Sequence, residues 1–580
     1  MSKLNIDQQT IKELFSNKKS DFLIPDYQRP YAWSDDECQT LWDDIFSFAF
    51  PENDYSRFDS ENDEYYLGPI VTFKNESGKL EIIDGQQRLT SLMLLLRAFY
   101  SLFGNMKDTN SIKTADDISK CIWKTDEFGT PNTNDLKIDS EVSSDDDKDE
   151  FLSILRTGIV SDNQKSVYAQ NYRFFMEQIK DFLLKYPTYF AYLPNRIMNN
   201  CILLPIEADN QNTALRIFST LNDRGKPLSD TDIFKAQFYK YYKDLGQKDI
   251  FMKRWKELDA LSDKIFSSSS GSSMDELFTR YMYYERAKLG NKNTTTEALR
   301  KFYERNKYEL LKKSETLGNL ESLAHFWESI YLQDASVFSD RNLKKLSVLN
   351  NAPNGMWAYL VSVYFLQNRD EEDRLEENSF FCFLNKITAF IWAYSVMRPG
   401  VNALRSPVYP EMINIVNNKP VLFTEYKFDK DAIRNAFENY EFTNGRPITK
   451  SILAWWLYTR KDQELISNEN SFEIEHIYSK KRQDNDKGLK NTNNLESLGN
   501  KALLEKNINI RASDYRFEDK KKYYRGFTTD KGITKSPTKD AELFAIATEL
   551  SDFEEKDIIA RKELIISSFI DYLKENDLIN

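Results

Sequence analysis

The sequence predicts an α+β fold that is predominantly helical. Glycine and proline are sparse, at 18 and 16 among 580 residues, so few positions interrupt long regular segments. Apolar residues recur at helical spacing, as in the stripe of Leu320, Leu323, Ala324, Trp327 and Ile330. Runs typical of strands are few and lie mainly near the N-terminus.

The bulk properties predict a globular protein of two to four domains, since single cores stop growing near ~250–300 residues. Apolar residues make up 41% of the chain and aromatic residues 14%, which is enough for packed cores. The cysteines lie far apart and form no Cys-x-x-Cys pair, which argues against zinc and disulfide frameworks. They are Cys38, Cys121, Cys201 and Cys382. This usage fits a reducing cytoplasm.

No membrane segment is expected. Residues 1–7 lack the apolar core of a signal peptide. Apolar runs such as 452–458 are too short to span a bilayer. The sequence therefore predicts a soluble, cytoplasmic protein without a membrane partner.

The N-terminal part alternates helix and strand signals. A capping box at 34–37 precedes an amphipathic helix that contains Leu41, Trp42 and Ile45. The further predicted elements are strands at 66–73 and 80–83 with a turn at 75–78, a strand at 201–206 and a helix over 213–221. A helix is also predicted from Leu89, with a buried apolar stripe of Leu89, Leu92, Met93, Leu96 and Phe99.

The rest of the chain is predicted to be mostly helical. The acidic segment 139–150 is expected to be a solvated loop, and the serine tract 267–273 a flexible segment. His325 falls within a helical apolar pattern and is predicted to be a packing residue. We expect three regions: an N-terminal domain over 1–245, a helical connecting region over 246–446 and a C-terminal domain over 447–580.

The other histidine carries the strongest motif. Residues 472–477 read Phe-Glu-Ile-Glu-His-Ile, and Asn500 and Asn509 follow downstream. A histidine beside a carboxylate, with asparagines after it, can supply a general base and hard oxygen ligands for a metal. This stretch resembles the HNH, or His-Me finger, nucleases, in which a β-hairpin bears the acidic-His pair and leads into a helix. Many relatives carry proline where this chain has Ser479, a difference that affects the stiffness of the turn more than the chemistry.

The resemblance implies a role for each residue. His476 would deprotonate water, Glu475 and Asn509 would bind Mg²⁺ or Mn²⁺, and Asn500 would serve the catalytic centre, chiefly by orienting the loop. Residues 480–539 contain 16 Lys/Arg against 8 Asp/Glu in a chain of net charge −12, which favours contact with phosphates. The expected DNA contacts are Lys501, Lys506, Arg511, Lys520, Lys521 and Lys522.

A second constellation lies near the N-terminus. Asp84-Gly85-Gln86-Gln87-Arg88 stands between a predicted strand and a predicted helix, where free backbone N–H groups favour anions. Arg88 could make a bidentate phosphate contact, the glutamines could donate from their amides, and Asp84 could hold a metal or polarise water. The chain has no Walker A motif, so a nucleotide site here would not be of the P-loop type.

Two flanking elements strengthen this interpretation. Residues 27–33 read Tyr-Gln-Arg-Pro-Tyr-Ala-Trp, and residues 221–228 read Leu-Asn-Asp-Arg-Gly-Lys-Pro-Leu. With the Asp-Gly-Gln-Gln-Arg signature, they resemble the ParB/sulfiredoxin-like domains over about residues 10–240. The resemblance implies that Asp84 and Arg88 act in nucleoside triphosphate hydrolysis. It assigns nucleotide binding to Arg29, Asp84, Gly85, Gln86, Gln87, Arg88, Asn222 and Arg224.

The pairing of these two domains resembles the GmrSD-type (type IV) modification-dependent restriction enzymes. It implies an NTP-regulated endonuclease of phage defence that hydrolyses DNA phosphodiesters by a one-metal HNH mechanism. Two alternatives stay open: a non-catalytic DNA-binding or regulatory protein with an HNH-like fold, and an NTPase signalling partner that does not act on DNA. The sequence leaves open the DNA modification, the preferred NTP and the direction of its effect, nicking against double-strand cleavage, the role of the helical region, and whether the chain forms a homo-oligomer.

Overall fold

The chain divides into two compact units, Met1–Lys256 and Glu257–Asn580. The computed structural model describes residues 5–6, 8–104, 106–142, 145–211, 213–215, 217, 230–266, 272–290, 297–400, 403–468, 470–485, 488–512 and 516–580. The predicted helix over 213–221 and the serine tract fall largely outside these residues. The division into three regions at 245 and 446 stays a prediction.

Short strands are outnumbered by helices, so the predicted α+β, predominantly helical class is confirmed. The strands are β1 (Asn5–Ile6), β2 (Gln9–Thr10), β3 (Phe22–Ile24), β4 (Tyr65–Lys74), β5 (Leu80–Asp84), β6 (Trp123–Thr125), β7 (Pro131–Leu136), β8 (Ile138–Ser140), β9 (Cys201–Ala208), β10 (Phe472–His476), β11 (Lys501–Glu505), β12 (Phe527–Thr528) and β13 (Thr534–Lys535).

The described α-helices of the first unit and its boundary are α1 (Ile11–Ser16), α2 (Asp35–Ala49), α3 (Gln86–Phe103), α4 (Thr109–Ile122), α5 (Lys148–Thr157), α6 (Val167–Lys185), α7 (Tyr192–Asn200), α8 (Asp230–Asp244) and α9 (Lys248–Ile265). Those that follow are α10 (Ser273–Lys288), α11 (Leu299–Tyr303), α12 (Ser314–Tyr331), α13 (Asp340–Leu349), α14 (Met356–Asn368), α15 (Glu377–Met397), α16 (Arg405–Val416), α17 (Lys430–Asn439), α18 (Pro447–Leu457), α19 (Lys480–Asn485), α20 (Lys506–Ala512), α21 (Phe517–Arg525), α22 (Ala541–Glu549) and α23 (Glu555–Glu575). Short 3-10 helices occupy Pro51–Asn53, Tyr55–Arg57, Glu309–Lys312, Thr424–Tyr426, Thr492–Glu496 and Leu498–Asn500.

A seven-stranded mixed sheet organises the first unit. Its strand order is β1–β9–β4–β5–β3–β8, and β2 also pairs with β9. Strand β4 runs parallel to β9 and antiparallel to β5, whereas β3 runs parallel to both β5 and β8. The predicted hairpin between 66 and 83 is confirmed, because Asn75 and Lys79 close its turn by a backbone hydrogen bond.

Helix α3 begins directly after β5 and is buried along most of its length. The predicted stripe is confirmed, since Leu92, Met93, Leu96 and Phe99 are fully buried. Burial of each such side chain stabilises the fold by about 1.5–3 kcal/mol. This packing fixes the start of the helix, where the Asp-Gly-Gln-Gln-Arg signature lies.

Two local expectations are wrong. His325 is exposed, and its ring contacts Glu328 instead of the core. It follows Ala324 directly, and a step of about 100° takes it off the apolar stripe of the helix. The acidic segment is not simply a solvated loop, because strand β8 and the start of α5 occupy parts of it, and buried Asp145 accepts a hydrogen bond from Tyr168.

Helix α15 is the one described helix that is long and apolar enough to cross a bilayer, and 67% of its apolar window is buried within the protein. Its buried residues include Phe390, Ile391 and Trp392. This burial is typical of a core helix.

The C-terminal part of the second unit contains the predicted hairpin. Strand β10 pairs antiparallel with β11, and helices α20 and α21 follow it. Residues of the hairpin and these helices share a core with the final helices, including Leu504, Phe517, Tyr524 and Leu543. The predicted hairpin is thus present, with helices directly after it in the chain.

Candidate functional site

The hairpin of β10 and β11 sets the directions of the candidate catalytic side chains. Its register pairs His476 with Lys501 and Glu475 with Ala502. Side chains alternate along a strand, so Glu473 and Glu475 share one face and His476 belongs to the other. The two members of the Glu-His pair therefore meet different surroundings.

The loop after His476 is held by Asn500, which is fully buried. Its side-chain oxygen accepts a hydrogen bond from the backbone N–H of Tyr478 at 2.7 Å. Its amide group donates to the carbonyls of Tyr478 and Leu495 at 3.0 and 2.9 Å. This pattern is that of a residue that positions the loop.

The preceding Gly499 lets the final helix approach this loop. A Cβ at Gly499 would lie 1.9 Å from the carbonyl oxygen of Ile558, so only glycine fits there. Arg561, from the same helix, donates hydrogen bonds to the carbonyls of Leu498, Gly499 and Lys501. The Gly-Asn pair of the motif thus has a packing role and a positioning role.

Glu475 is buried against helix α21. Its Oε1 atom accepts hydrogen bonds from Lys520 at 2.7 Å and from the Tyr524 hydroxyl. Lys520 also donates to the carbonyl oxygen of His476 at 2.6 Å. No described residue donates a hydrogen bond to Oε2 of Glu475.

The prediction that Lys520 contacts phosphate is wrong, because its side chain is only 1% exposed. Phe517, Lys520 and Tyr524 stand at helical spacing and form the buried face of α21. The positions of Phe517 and Tyr524 are the signal that could have placed Lys520 inside.

Two further predicted phosphate contacts are also engaged within the protein. Lys501 has a fully buried side chain that donates to the carbonyl of Phe442 and to Glu496. Lys521 is 12% exposed and lies near Glu518. These interactions contradict the expectation that both side chains are free to meet DNA.

Of the six predicted DNA contacts, the structure leaves two clearly exposed to solvent. The side chain of Lys506 is 56% exposed, and Lys522 is exposed on α21. The side chain of Arg511 lies outside the part of the chain that the structure describes. Lys506 and Lys522 are thus the two predicted contacts that the structure places at the surface.

His476 lies in a buried, charged environment that the sequence did not reveal. Its imidazole is 11% exposed, with Nε2 3.3 Å from Oε1 of Glu496. Despite this short distance, Nε2 has no hydrogen-bond partner among the described residues. Burial lowers the pKa of His476 to about 4, an effect that Glu496 opposes and Lys501 reinforces. The ring is therefore neutral near pH 7, the form required of a general base.

Glu496 is fixed by two lysines. Its oxygens lie 2.9 Å from Lys480 and 2.6 Å from Lys501. Burial opposes its ionisation, but hydrogen bonds from these lysines lower its pKa to about 2. Glu496 thus presents a fixed negative charge beside His476. Its place in a 3-10 turn, Thr492–Glu496, gave no motif by which the sequence could identify it.

Asn509 contacts a different carboxylate from the one expected. Its amide donates to Oε2 of Glu473 at 3.1 Å, and Glu473 shares the strand face of Glu475. Among the described residues, Asn509 makes no hydrogen bond with Glu475 or His476. Strand alternation could have identified Glu473, which the motif did not include.

Glu473, Glu475 and Asn509 are the oxygen-bearing side chains around this face of the hairpin. Glu475 has a free Oε2, Glu473 is 41% exposed, and the amide oxygen of Asn509 accepts no hydrogen bond from the described residues. Mg²⁺ commonly binds one or two carboxylates and keeps several waters. The described residues form no group of three or more His, Cys, Asp or Glu side chains that could hold a metal. The oxygens that these residues bring to the hairpin belong to two carboxylates and one amide.

The N-terminal signature forms a strand-to-helix turn. Gly85 has φ +94°, and a Cβ there would lie 3.3 Å from the side chain of Ile70. Burial raises the pKa of Asp84, while Arg88, the backbone N–H of Gly85 and Arg29 oppose that shift. These groups thus lie within electrostatic range of one another.

Arg88 is held by the neighbouring strand. Its guanidinium donates to the carbonyl of Pro69 at 3.0 Å. Gly68, with φ +117°, makes room for it, because a Cβ would lie 3.0 Å from the guanidinium. The sequence reasoning missed Gly68, although a glycine inside a strand pattern often marks a close approach.

The two signature glutamines are not free phosphate donors. Gln86 and Gln87 are 6% and 8% exposed. Their amide groups donate to the carbonyls of Arg29 and Pro30, and Gln87 accepts from the backbone N–H of Ala32. Both side chains fasten the segment 29–32 to the helix start, so their predicted direct binding of phosphate is contradicted.

Of the remaining predicted nucleotide contacts, the structure describes Arg29 alone. Arg29 is half-buried, and its side chain donates no hydrogen bond to the described residues. Asn222 and Arg224 lie outside the described residues. The structure thus brings together Arg29, Asp84 and Arg88.

Comparison with protein-family models gives matches at both ends of the chain. Residues 11–239 match the N-terminal domain of GmrSD restriction endonucleases, and residues 427–568 match their C-terminal domain. A search of curated proteins finds no match. The two matched segments contain, respectively, the Asp-Gly-Gln-Gln-Arg turn and the hairpin of His476.

Proposed function

The chain belongs to the GmrSD restriction endonucleases, and from this we propose that it is a modification-dependent endonuclease regulated by a nucleoside triphosphate. The family supports a role as a restriction endonuclease in phage defence, with DNA as substrate. We place its activity in the cytoplasm, where foreign DNA and nucleotides are present. Modified phage DNA is the proposed target.

One observation supports the nuclease centre most strongly. The neutral imidazole of His476 ends a strand whose other face presents the oxygens of Glu473 and Glu475, with Asn509 nearby. A base and a set of hard oxygen donors thus share one hairpin. This is the minimum equipment for hydrolysing a phosphodiester with a single divalent ion.

In the proposed HNH mechanism, His476 accepts a proton from the attacking water. Glu496 stabilises the imidazolium that forms, as a fixed carboxylate does in other base-catalysed hydrolyses. Glu475 and Asn509, with Glu473, would hold Mg²⁺ or Mn²⁺, which supplies charge stabilisation for the phosphate when bound. Asn500 keeps the loop after His476 in position. Lys506 and Lys522 contact the DNA backbone, which sets position without reading sequence.

The N-terminal site is proposed to bind and hydrolyse NTP. Arg88 and Arg29 offer cationic contacts to phosphate, and the turn at Gly85 offers backbone N–H groups at the start of α3. Asp84 would polarise water or hold a metal there. Asp84→Ala and Arg88→Ala should both lose hydrolysis, whereas Arg57→Ala, an exposed control, should retain it.

The same variants test gating. If nucleotide state controls the nuclease, both should also change cleavage of modified DNA, since a few kcal/mol of differential binding shifts a conformational equilibrium strongly. Normal hydrolysis by both variants would refute the nucleotide site. Lost hydrolysis with unchanged cleavage at every NTP concentration would refute the gating alone.

The main alternative is a DNA-binding protein whose finger does not cut. The observation in its favour is the ion pair of Lys520 with Glu475, which places an ammonium on one of the proposed metal ligands. Digestion of modified and unmodified phage DNA, with and without Mg²⁺ and each NTP, separates the two. Metal-dependent cleavage supports the nuclease, and binding without cleavage under all conditions supports the alternative. An NTPase that does not act on DNA would show hydrolysis without salt-dependent DNA binding.

A further inference from the structure

A cavity of about 460 Å³ lies within the second unit, beside the start of the nuclease hairpin. Its walls come from helices α10, α12, α13, α14 and α18 and from the segment that leads into β10. Phe472, the first residue of β10, is part of the lining. A volume of this size is within the range of small-ligand sites.

The cavity is lined on several sides by aromatic rings. They are Phe266, Trp327, Tyr331, Trp357, Tyr458 and Phe472. The rings of Trp327 and Trp357 lie 5.5 Å apart at 65°, so they present differently oriented surfaces. Such walls favour a flat, aromatic ligand.

The cavity is also cationic. Lys450 is half-buried and makes no hydrogen bond or ion pair with the described residues. Arg280 is 9% exposed, and its NH1 atom is buried without a hydrogen-bond partner. Its Nε is paired with Glu276 at 2.9 Å, and the guanidinium stacks 4.1 Å from the centroid of Trp327. No aspartate or glutamate is among the described residues of the lining, although the chain contains 91 of them.

Amide groups complete the site. Asn350, Asn351, Asn468 and Asn470 line the cavity, and the side chain of Asn350 makes no hydrogen bond with the described residues. Amides both donate and accept, as the edge of a nucleobase requires. A ligand with a flat ring, hydrogen-bonding edges and an anionic group satisfies all three features. A nucleotide has this chemistry.

We propose that this cavity receives a nucleotide extruded from the DNA substrate, with its base among the aromatic rings and its phosphate near Arg280 and Lys450. The inference rests on the proposed nuclease function. Phe472 and His476 are the two ends of one strand, about 13 Å apart at 3.3 Å per residue. That distance is about four nucleotide rises of B-DNA. Extrusion would inspect a base close to the point of cleavage, as enzymes that act on bases do by flipping.

The test uses the full chain carrying His476→Ala, which keeps DNA intact. Short duplexes contain one cytosine that is unmodified, 5-hydroxymethylated or glucosylated, with 2-aminopurine beside it. Extrusion of the cytosine unstacks its neighbour, so 2-aminopurine fluorescence should rise severalfold with at least one duplex. The added substitutions Lys450→Ala and Asn350→Ala, at positions that are not fully buried, should remove this rise and weaken binding about tenfold or more. Lys419→Ala, an exposed lysine in the same unit, should change neither.

Circular dichroism confirms that each variant is folded. The inference would be overturned if 2-aminopurine fluorescence still rose with the Lys450→Ala and Asn350→Ala substitutions. It would also be overturned if the protein bound DNA without a fluorescence rise in any of the duplexes. A third outcome would also overturn the inference: Lys450-dependent binding of deoxycytidine monophosphate or ATP, with no fluorescence rise on DNA. That result would assign the cavity to a free nucleotide. Cleavage by the parent chain is measured separately. Extrusion without cleavage contradicts only the nuclease, and cleavage without extrusion contradicts only this inference.

Discussion

Lys520→Met should destabilise the C-terminal unit and should not act through lost phosphate contact. The substitution removes the ammonium 2.7 Å from Glu475 and leaves that carboxylate, 4% exposed, with only the Tyr524 hydroxyl. Breaking a buried ion pair from one side costs about 3–5 kcal/mol. For a unit of roughly 320 residues, each loss of about 0.7 kcal/mol in the free energy of unfolding lowers Tm by one degree. The expected decrease in Tm is therefore about 4–7 °C. Thermal unfolding by calorimetry measures it.

Lys522→Met is the matched control, because Lys522 is exposed on the same helix. It should leave Tm unchanged and reduce the slope of log binding constant against log salt by about 0.9 if it contacts one phosphate. A double variant, Lys520→Met with Glu475→Met, should recover most of the lost stability, since an apolar pair avoids the unpaired charge. The buried ion pair of Lys520 with Glu475 would be refuted if Lys520→Met left Tm unchanged and weakened the salt dependence of DNA binding. That result would instead support the predicted contact of Lys520 with phosphate.

Three further results are expected. Glu496→Gln should lower kcat at least tenfold with unchanged DNA affinity, because the imidazolium of His476 loses its fixed counter-charge; equal kcat would exclude this role. Gly68→Ala should impair NTP hydrolysis by displacing Arg88, whereas Gly78→Ala, also at positive φ but with its nearest neighbour 3.9 Å away, should not; equal loss in both would count against the site. Burial raises the pKa of Asp540 to about 7, so the folded state holds more protons between about pH 4 and 7 and stability falls as pH rises through that range. Asp540→Asn should therefore raise Tm at pH 8 and flatten its pH dependence, and parallel Tm curves for the two proteins would contradict this.

The sequence predicted much of the framework because its signals are local. The hairpin of β4 and β5, the capping box before α2 and the apolar stripe of α3 each depend on residues close in the chain, and all are confirmed. His325 shows the limit of a looser pattern. It lies inside a helical segment, but its angular position places it on the solvent face.

The site was less predictable because its decisive contacts join distant segments. Lys520 donates a hydrogen bond to Glu475, which lies 45 residues earlier in the chain. A lysine in the sequence does not by itself indicate that it has a buried carboxylate partner. Glu496 lies 20 residues from His476 in a turn without a motif. Gln87 matched a nucleotide signature, yet only the fold shows that its amide holds residues 30–32.

The role of His476 as the general base is tested by cleavage of modified phage DNA with the His476→Ala variant. The only other histidine, His325, is exposed and bonded to Glu328, far outside the hairpin in sequence. The folded variant should bind DNA and hydrolyse NTP as before, while metal-dependent cleavage falls by several hundredfold or more, since general-base catalysis contributes about 10²–10⁴. Undiminished cleavage by that variant would contradict the assignment of His476 as the base and of this hairpin as the nuclease centre.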